Sequence, residues 1–225
     1  MKRSIIYFSI LFIIFGLSSC LHVFQPVFDE KDLISIDIID GKWTMNSTSV
    51  TIEKANKSRI MDMLKIDIGK SNPPAVVEKA DSIRQDKSYV LSYGKGELVY
   101  HYSLQIAKIN ETLFAQVIPI IAAPEDTTKN FENRYVGFLG QDFIGTYAIA
   151  KASIDGKNHL SLNFLDGEKI KQLILESKMK IPYAYDAVFD NFLITANSAV
   201  LKTFLSKYGN RDDIYSSVHL YSLKR

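Results

Sequence analysis

The 225-residue chain carries 27 basic and 25 acidic side chains, a formal net charge of +2, and 47% of its residues are hydrophobic. This supports one core-forming domain, or two small ones sharing a sheet, and argues against long disorder. The balance of charge argues against a nucleic-acid partner, because phosphate binding needs a basic excess on some face. One cysteine, Cys20, excludes a disulfide framework and a cysteine-based metal site.

The amino terminus opens with Lys2 and Arg3, and residues 5–17 follow without a charge. A spanning helix needs about 20 apolar residues, so this run has the length of a secretory h-region and is short for a permanent span. Leu17-Ser18-Ser19-Cys20 comes next and resembles the bacterial lipobox: a branched apolar residue, two small residues, then cysteine. The resemblance implies a lipid joined to the Cys20 sulfur, cleavage before Cys20, and a mature protein whose first partner is the membrane. It also implies a cell-envelope location. Leu21 stands where an aspartate would favour inner-membrane retention, so the outer membrane is expected in a Gram-negative host. The expected organisation is a signal peptide at 1–19, a lipidated tether at 20–32 containing Pro26, and a single β-rich domain at 33–225.

Asp29, Glu30, Asp32, Asp37 and Asp40 are spaced too loosely for a calcium loop and read as a solvated acidic segment. Beyond it, hydrophobicity alternates with period two, the mark of strands with one buried face. Strands are expected at 48–55, 87–93, 97–108, 112–120, 143–154, 159–165 and 215–223. In 97–108, Tyr100, Tyr102, Leu104 and Ile106 point one way, and His101, Ser103 and Gln105 the other. Asn110-Glu111 and Asp155-Gly156 supply turns. The period switches to helical at 169–177, entered through Asp166, and at 198–208, where Val200, Leu201, Phe204, Leu205 and Tyr208 form a stripe that Ser198 can cap and Gly209 can end. The fold class is therefore mainly β (α+β): an antiparallel sheet curled into a sandwich or partial barrel, with two short helices near the C-terminus closing one end.

Gly41-Lys42-Trp43 resembles the G-x-W that opens the first strand of lipocalins, where the Trp plugs the closed end of the barrel. The run 192–196, then 198–208, then 214–223 resembles the strand–helix–strand endings of β-rich bacterial envelope lipoproteins, which implies fold kinship and no particular activity. His22, His101, His159 and His219 lack zinc-helix spacing, and no G-x-S-x-G nucleophile motif occurs. No catalytic, metal or cofactor site is expected. The densest aromatic stretch begins at 181 and makes Tyr183, Tyr185 and Phe189 the candidate ligand-binding residues, either stacking on a sugar or lining an apolar pocket. The alternative is that these rings cover an open end of the sheet. The expected function is a non-enzymatic, lipid-anchored binding or assembly module, possible envelope protein partners included. The alternatives are an envelope hydrolase built from residues distant in sequence, or an apolar-ligand carrier.

Overall fold

A computed structural model describes residues 21–55, 87–95, 98–124, 146–156, 158–188 and 190–225. The segment 1–19 expected to be a signal peptide, Cys20 as the expected lipid acceptor and the candidate residue Phe189 lie outside these described residues.

Seven strands follow one another as antiparallel neighbours: β2 (Gly41–Met45), β3 (Thr48–Lys54), β4 (Ser88–Lys95), β5 (Leu98–Ile109), β6 (Thr112–Pro124), β7 (Tyr147–Asp155) and β8 (His159–Leu165). The last strand, β11 (Tyr215–Lys224), pairs with β8 on one side and β2 on the other, which closes an eight-stranded barrel. Closure gives each of these strands a neighbour on both sides. Two of the hairpins turn through consecutive positive φ angles, Asn46-Ser47 at 47° and 68° and Asn110-Glu111 at 46° and 65°. That twist matches the twist of the flanking strands.

Period two then decides which side chains fill the barrel. Trp43, Val50, Ile52, Tyr89, Leu104, Ile106, Ala115, Ala150, Leu160, Leu162 and Leu223 form one buried cluster inside it. The alternate positions Ala107, Phe114, Ile149, Leu165 and Tyr215 form a second cluster outside it. The outer cluster is covered by the helices α1 (Gly167–Leu175) and α2 (Ser198–Tyr208) and by the amino-terminal segment. The helices thus pack on the outer wall of the barrel rather than closing an end.

Asp166 caps α1, its carboxylate accepting from the amides of Glu168 and Lys169. Asn197, not Ser198, caps α2 through the amide of Val200. Ser198 instead donates to the carbonyl of Pro26 at 2.6 Å, tying the helix to the amino-terminal segment. Val200 faces outward, while Leu201, Phe204 and Leu205 are buried. Gly209 ends α2 with φ −63°, so a left-handed turn is not what demands glycine there. A β-carbon at that position would collide with the Leu205 carbonyl and the Phe114 ring.

The stretch expected to be a tether is docked. Leu21 is 2% exposed, and its amide donates to the Leu165 carbonyl at 3.0 Å. β1 (His22–Val23) pairs with the start of β7 and with β10 (Asn191–Ile194), which carries β9 (Tyr183–Asp186) on its far side. Further along, the amides of Val27 and Phe28 donate to the side-chain oxygen of Gln116 at 2.9 and 3.3 Å. Gln116 donates in turn to Gln105, and Gln105 to Ser88 at 2.9 Å. A buried polar chain is tolerable when its members are paired, and this one fastens the segment across β6, β5 and β4. Such contacts, some 89 residues apart in sequence, leave no local periodicity to betray them.

Candidate functional site

The two ends of the barrel are built differently. At one end the segment 33–40 folds across the opening. Ile34 hydrogen-bonds to the Ile106 carbonyl, Ile39 is fully buried, and Ile34, Ile36 and Ile38 pack against the inner cluster. Trp43 lies beneath, 2% exposed, its indole N–H donating to the Ile39 carbonyl at 2.8 Å. The guanidinium of Arg225 stacks over the indole with its carbon 4.7 Å from the ring centroid, and hydrogen-bonds to the carbonyls of Ile38 and Asp40. Gly41 sits against that guanidinium at φ 136°, a conformation that favours glycine. Tyr89 completes the closure, its hydroxyl accepting from the Ile36 amide at 2.6 Å. On the outer side of this segment Asp37 pairs with Lys54, and just before it Asp29 and Asp32 pair with Lys202.

The other end is where β4 and β8 finish and β5 and β7 begin. Its inward-facing side chains are Met45, Leu91, Tyr93, Tyr100, Tyr102, Ala148 and Tyr221, all half-buried rather than sealed. Tyr93 stacks on its cross-strand partner Tyr100 at 5.3 Å and on Tyr102 at 6.0 Å. Tyr221 meets Phe164 edge-on at 5.6 Å. Burial holds the Tyr102 hydroxyl firmly neutral, reinforced by Tyr93, with which it shares a hydrogen bond. Burial likewise raises the Tyr93 hydroxyl. Beside these rings the next strands contribute smaller side chains, Val117 from β6 and Ala148 from β7, while Ala115 and Ala152 lie deeper, next to Ile106 and Leu162. This end therefore offers apolar ring faces with neutral hydroxyl donors among them, a chemistry suited to a molecule with an apolar body and a polar group.

The period-two alternation places Tyr100 and Tyr102 on the buried face of their strand without marking them as a site. The available signal was tyrosine, rather than phenylalanine, repeated at i and i+2 on that face, since a buried hydroxyl needs a partner.

The sequence-predicted residues lie elsewhere. Tyr183 and Tyr185, 41% and 38% exposed, stand on β9 at the edge of the small sheet and lean on Phe192 at 5.4 and 6.5 Å. Tyr185 donates to Asp190 at 2.9 Å, and Asp190 holds Lys171 through both carboxylate oxygens at 3.1 Å. Lys171 and the Tyr185 hydroxyl hold the Asp190 carboxyl below the usual carboxylate range, and Glu168 with Asp190 raises the Lys171 ammonium. A cleft of about 420 Å³ opens beside Tyr183, lined by Ile174, Met179, Lys180, Ile181 and Pro182. Ile174, Met179, Ile181 and Phe192 belong to the outer core cluster, so these rings are that core's own face carried out to the sheet edge.

His101 and His159 are held separately. The first hydrogen-bonds to Ser92 and the second to Ser222, each at 2.8 Å. No family model, curated protein or solved structure matches the chain.

Proposed function

We propose that the protein is a lipid-anchored cell-envelope module that binds, without altering it, a small amphipathic molecule at the tyrosine-lined end of its barrel. The observation that carries this reading is the contrast between the ends. Ile39, Trp43, Tyr89, Leu104 and Ile106 are at most 2% exposed, whereas Tyr93, Tyr100, Tyr102 and Tyr221 remain partly accessible. An eight-stranded barrel has room either for its own side chains or for one small ligand. Here one half is filled by its own side chains, and the other half is walled by tyrosine rings with Leu91 and Ala148 beside them. The position of Trp43 behind Gly41, at the plugged end, is in keeping with the lipocalin-like G-x-W.

The lipid anchor on Cys20 would hold this body in the envelope, at the outer membrane in a Gram-negative host. Cys20→Ala is expected to abolish incorporation of a fatty-acid probe and to leave an uncleaved precursor. Equal labelling of the two forms would remove the anchor from this account.

For the site, an environment-sensitive naphthylamine dye is titrated into the protein lacking residues 1–20. Saturable binding is expected, weakened by Tyr93→Phe by about tenfold, the value of one hydrogen bond of roughly 1.4 kcal/mol. Tyr183→Ala should leave the affinity unchanged. The reverse pattern would transfer the site to the cleft beside Tyr183.

A further inference from the structure

We infer that the anchor has no slack: the bilayer surface is a direct partner of the folded body, which it holds with the tyrosine-lined end on the membrane side. This rests on the lipidation of Cys20 proposed above. Leu21, the next residue, is already part of the fold, buried and hydrogen-bonded to the Leu165 carbonyl at 3.0 Å. Val23, two residues on, is fully buried between β7 and β10. Adjacent α-carbons are about 3.8 Å apart, so the lipid-bearing residue lies within about 4 Å of a fixed point on the barrel wall. A free twelve-residue tether would instead reach roughly 20 Å and let the domain tumble.

The fixed point has a definite place. Leu165 is the last residue of β8, and Val23 pairs with Tyr147, the first residue of β7. Both mark the end of the barrel where Tyr93 and Tyr100 sit. The plugged end, with the Asn110-Glu111 hairpin and Arg225, lies the length of the barrel away. A tilted strand of 12 residues such as β5 separates the ends by about 30 Å. Phe24 adds a second contact. It is 54% exposed at the bend that follows β1, its amide held by the Ile194 carbonyl at 3.0 Å. A large apolar side chain a few residues from acyl chains is in position to enter the headgroup boundary. An amphipathic ligand drawn from the bilayer would then meet the tyrosines without crossing bulk water.

The test uses the full-length, lipidated protein in phosphatidylcholine–phosphatidylglycerol vesicles carrying nitroxide headgroups. Cys20 is the single cysteine and its sulfur carries the lipid, so Ser47→Cys and Glu111→Cys each offer one thiol for a fluorophore, on hairpins at opposite ends. Quenching several-fold stronger at residue 47 than at residue 111 is expected. Inserting about twelve Gly and Ser residues between Cys20 and Leu21 should erase the difference, because that length restores a flexible tether. Equal quenching in the uninserted protein, or stronger quenching at residue 111, would overturn the inference and leave lipidation standing. Protein of unlipidated mass that stays off the vesicles would overturn both.

Discussion

Replacing Trp43 by alanine is expected to lower stability by about 3–5 kcal/mol, the usual loss for a large buried aromatic. Three contacts fail together. The indole N–H no longer reaches the Ile39 carbonyl, Arg225 loses the ring it stacks on, and the inner core acquires a cavity directly beneath the plug. Against a total of about 5–15 kcal/mol for a domain of this size, such a loss brings unfolding close to ambient conditions. Lys42→Ala, one position earlier in β2 and exposed, should change stability by less than about 0.5 kcal/mol. Trp43 is also the single tryptophan, so its emission reports the wild-type and Lys42 melts, while circular dichroism follows all three. A midpoint for Trp43→Ala no lower than that of Lys42→Ala would show that the plug carries no stability. Arg225→Ala should fall between the two, because the guanidinium is the outermost layer of the same closure.

How far the sequence revealed this arrangement depends on the range over which each signal acts. β8 emerges at its expected residues, and β5 at Leu98–Ile109 against an expected 97–108. In both, the alternation is local and one face is buried along the whole length. Barrel closure was less legible, because the β11–β2 contact joins the first and last strands of the barrel and sequence alternation records only that a face is buried, not against what. β9 was missed as a strand since all four of its residues are exposed, which leaves no buried face to alternate.

The segment 20–32 looked like a tether because Pro26 interrupts it and its apolar residues have no period. What fixes it is Gln116, Leu165 and α2, all distant in sequence. The acidic residues after it were legible as solvated, yet the isoleucines between them seal the barrel. For the same reason Tyr93, Tyr100, Tyr102 and Tyr221 were visible as core-facing residues but not as a site. Their partial exposure follows from which end is plugged, and that is decided by residues 34–39.

Phe204→Ala is expected to cost about 3–5 kcal/mol, through lost transfer energy plus a cavity in the outer core. Phe204 is 5% exposed, packs on Tyr208 at 5.2 Å between ring centroids, and shares its cluster with Val27, Phe28, Phe114 and Leu205. It therefore joins three layers at once: α2, the docked amino-terminal segment and the barrel wall. Two lysines on the same helix serve as comparisons and are not equivalent. Lys207 lies at the surface over the Tyr208 ring, so Lys207→Ala should shift stability by less than about 0.5 kcal/mol. Lys202 bridges Asp29 and Asp32 at 3.2 and 2.8 Å, which pins the amino-terminal segment to α2. Its loss should cost more than that of Lys207, up to about 1 kcal/mol for partly exposed ion pairs, and added salt should erase the difference. Alanine is the best helix former, so propensity cannot account for any destabilisation among the three variants. Urea melts at low and high salt separate the contributions. If Phe204→Ala melted with Lys207→Ala, α2 would not be docked through this face, and the segment beginning at Leu21 would lose one of the surfaces that hold it.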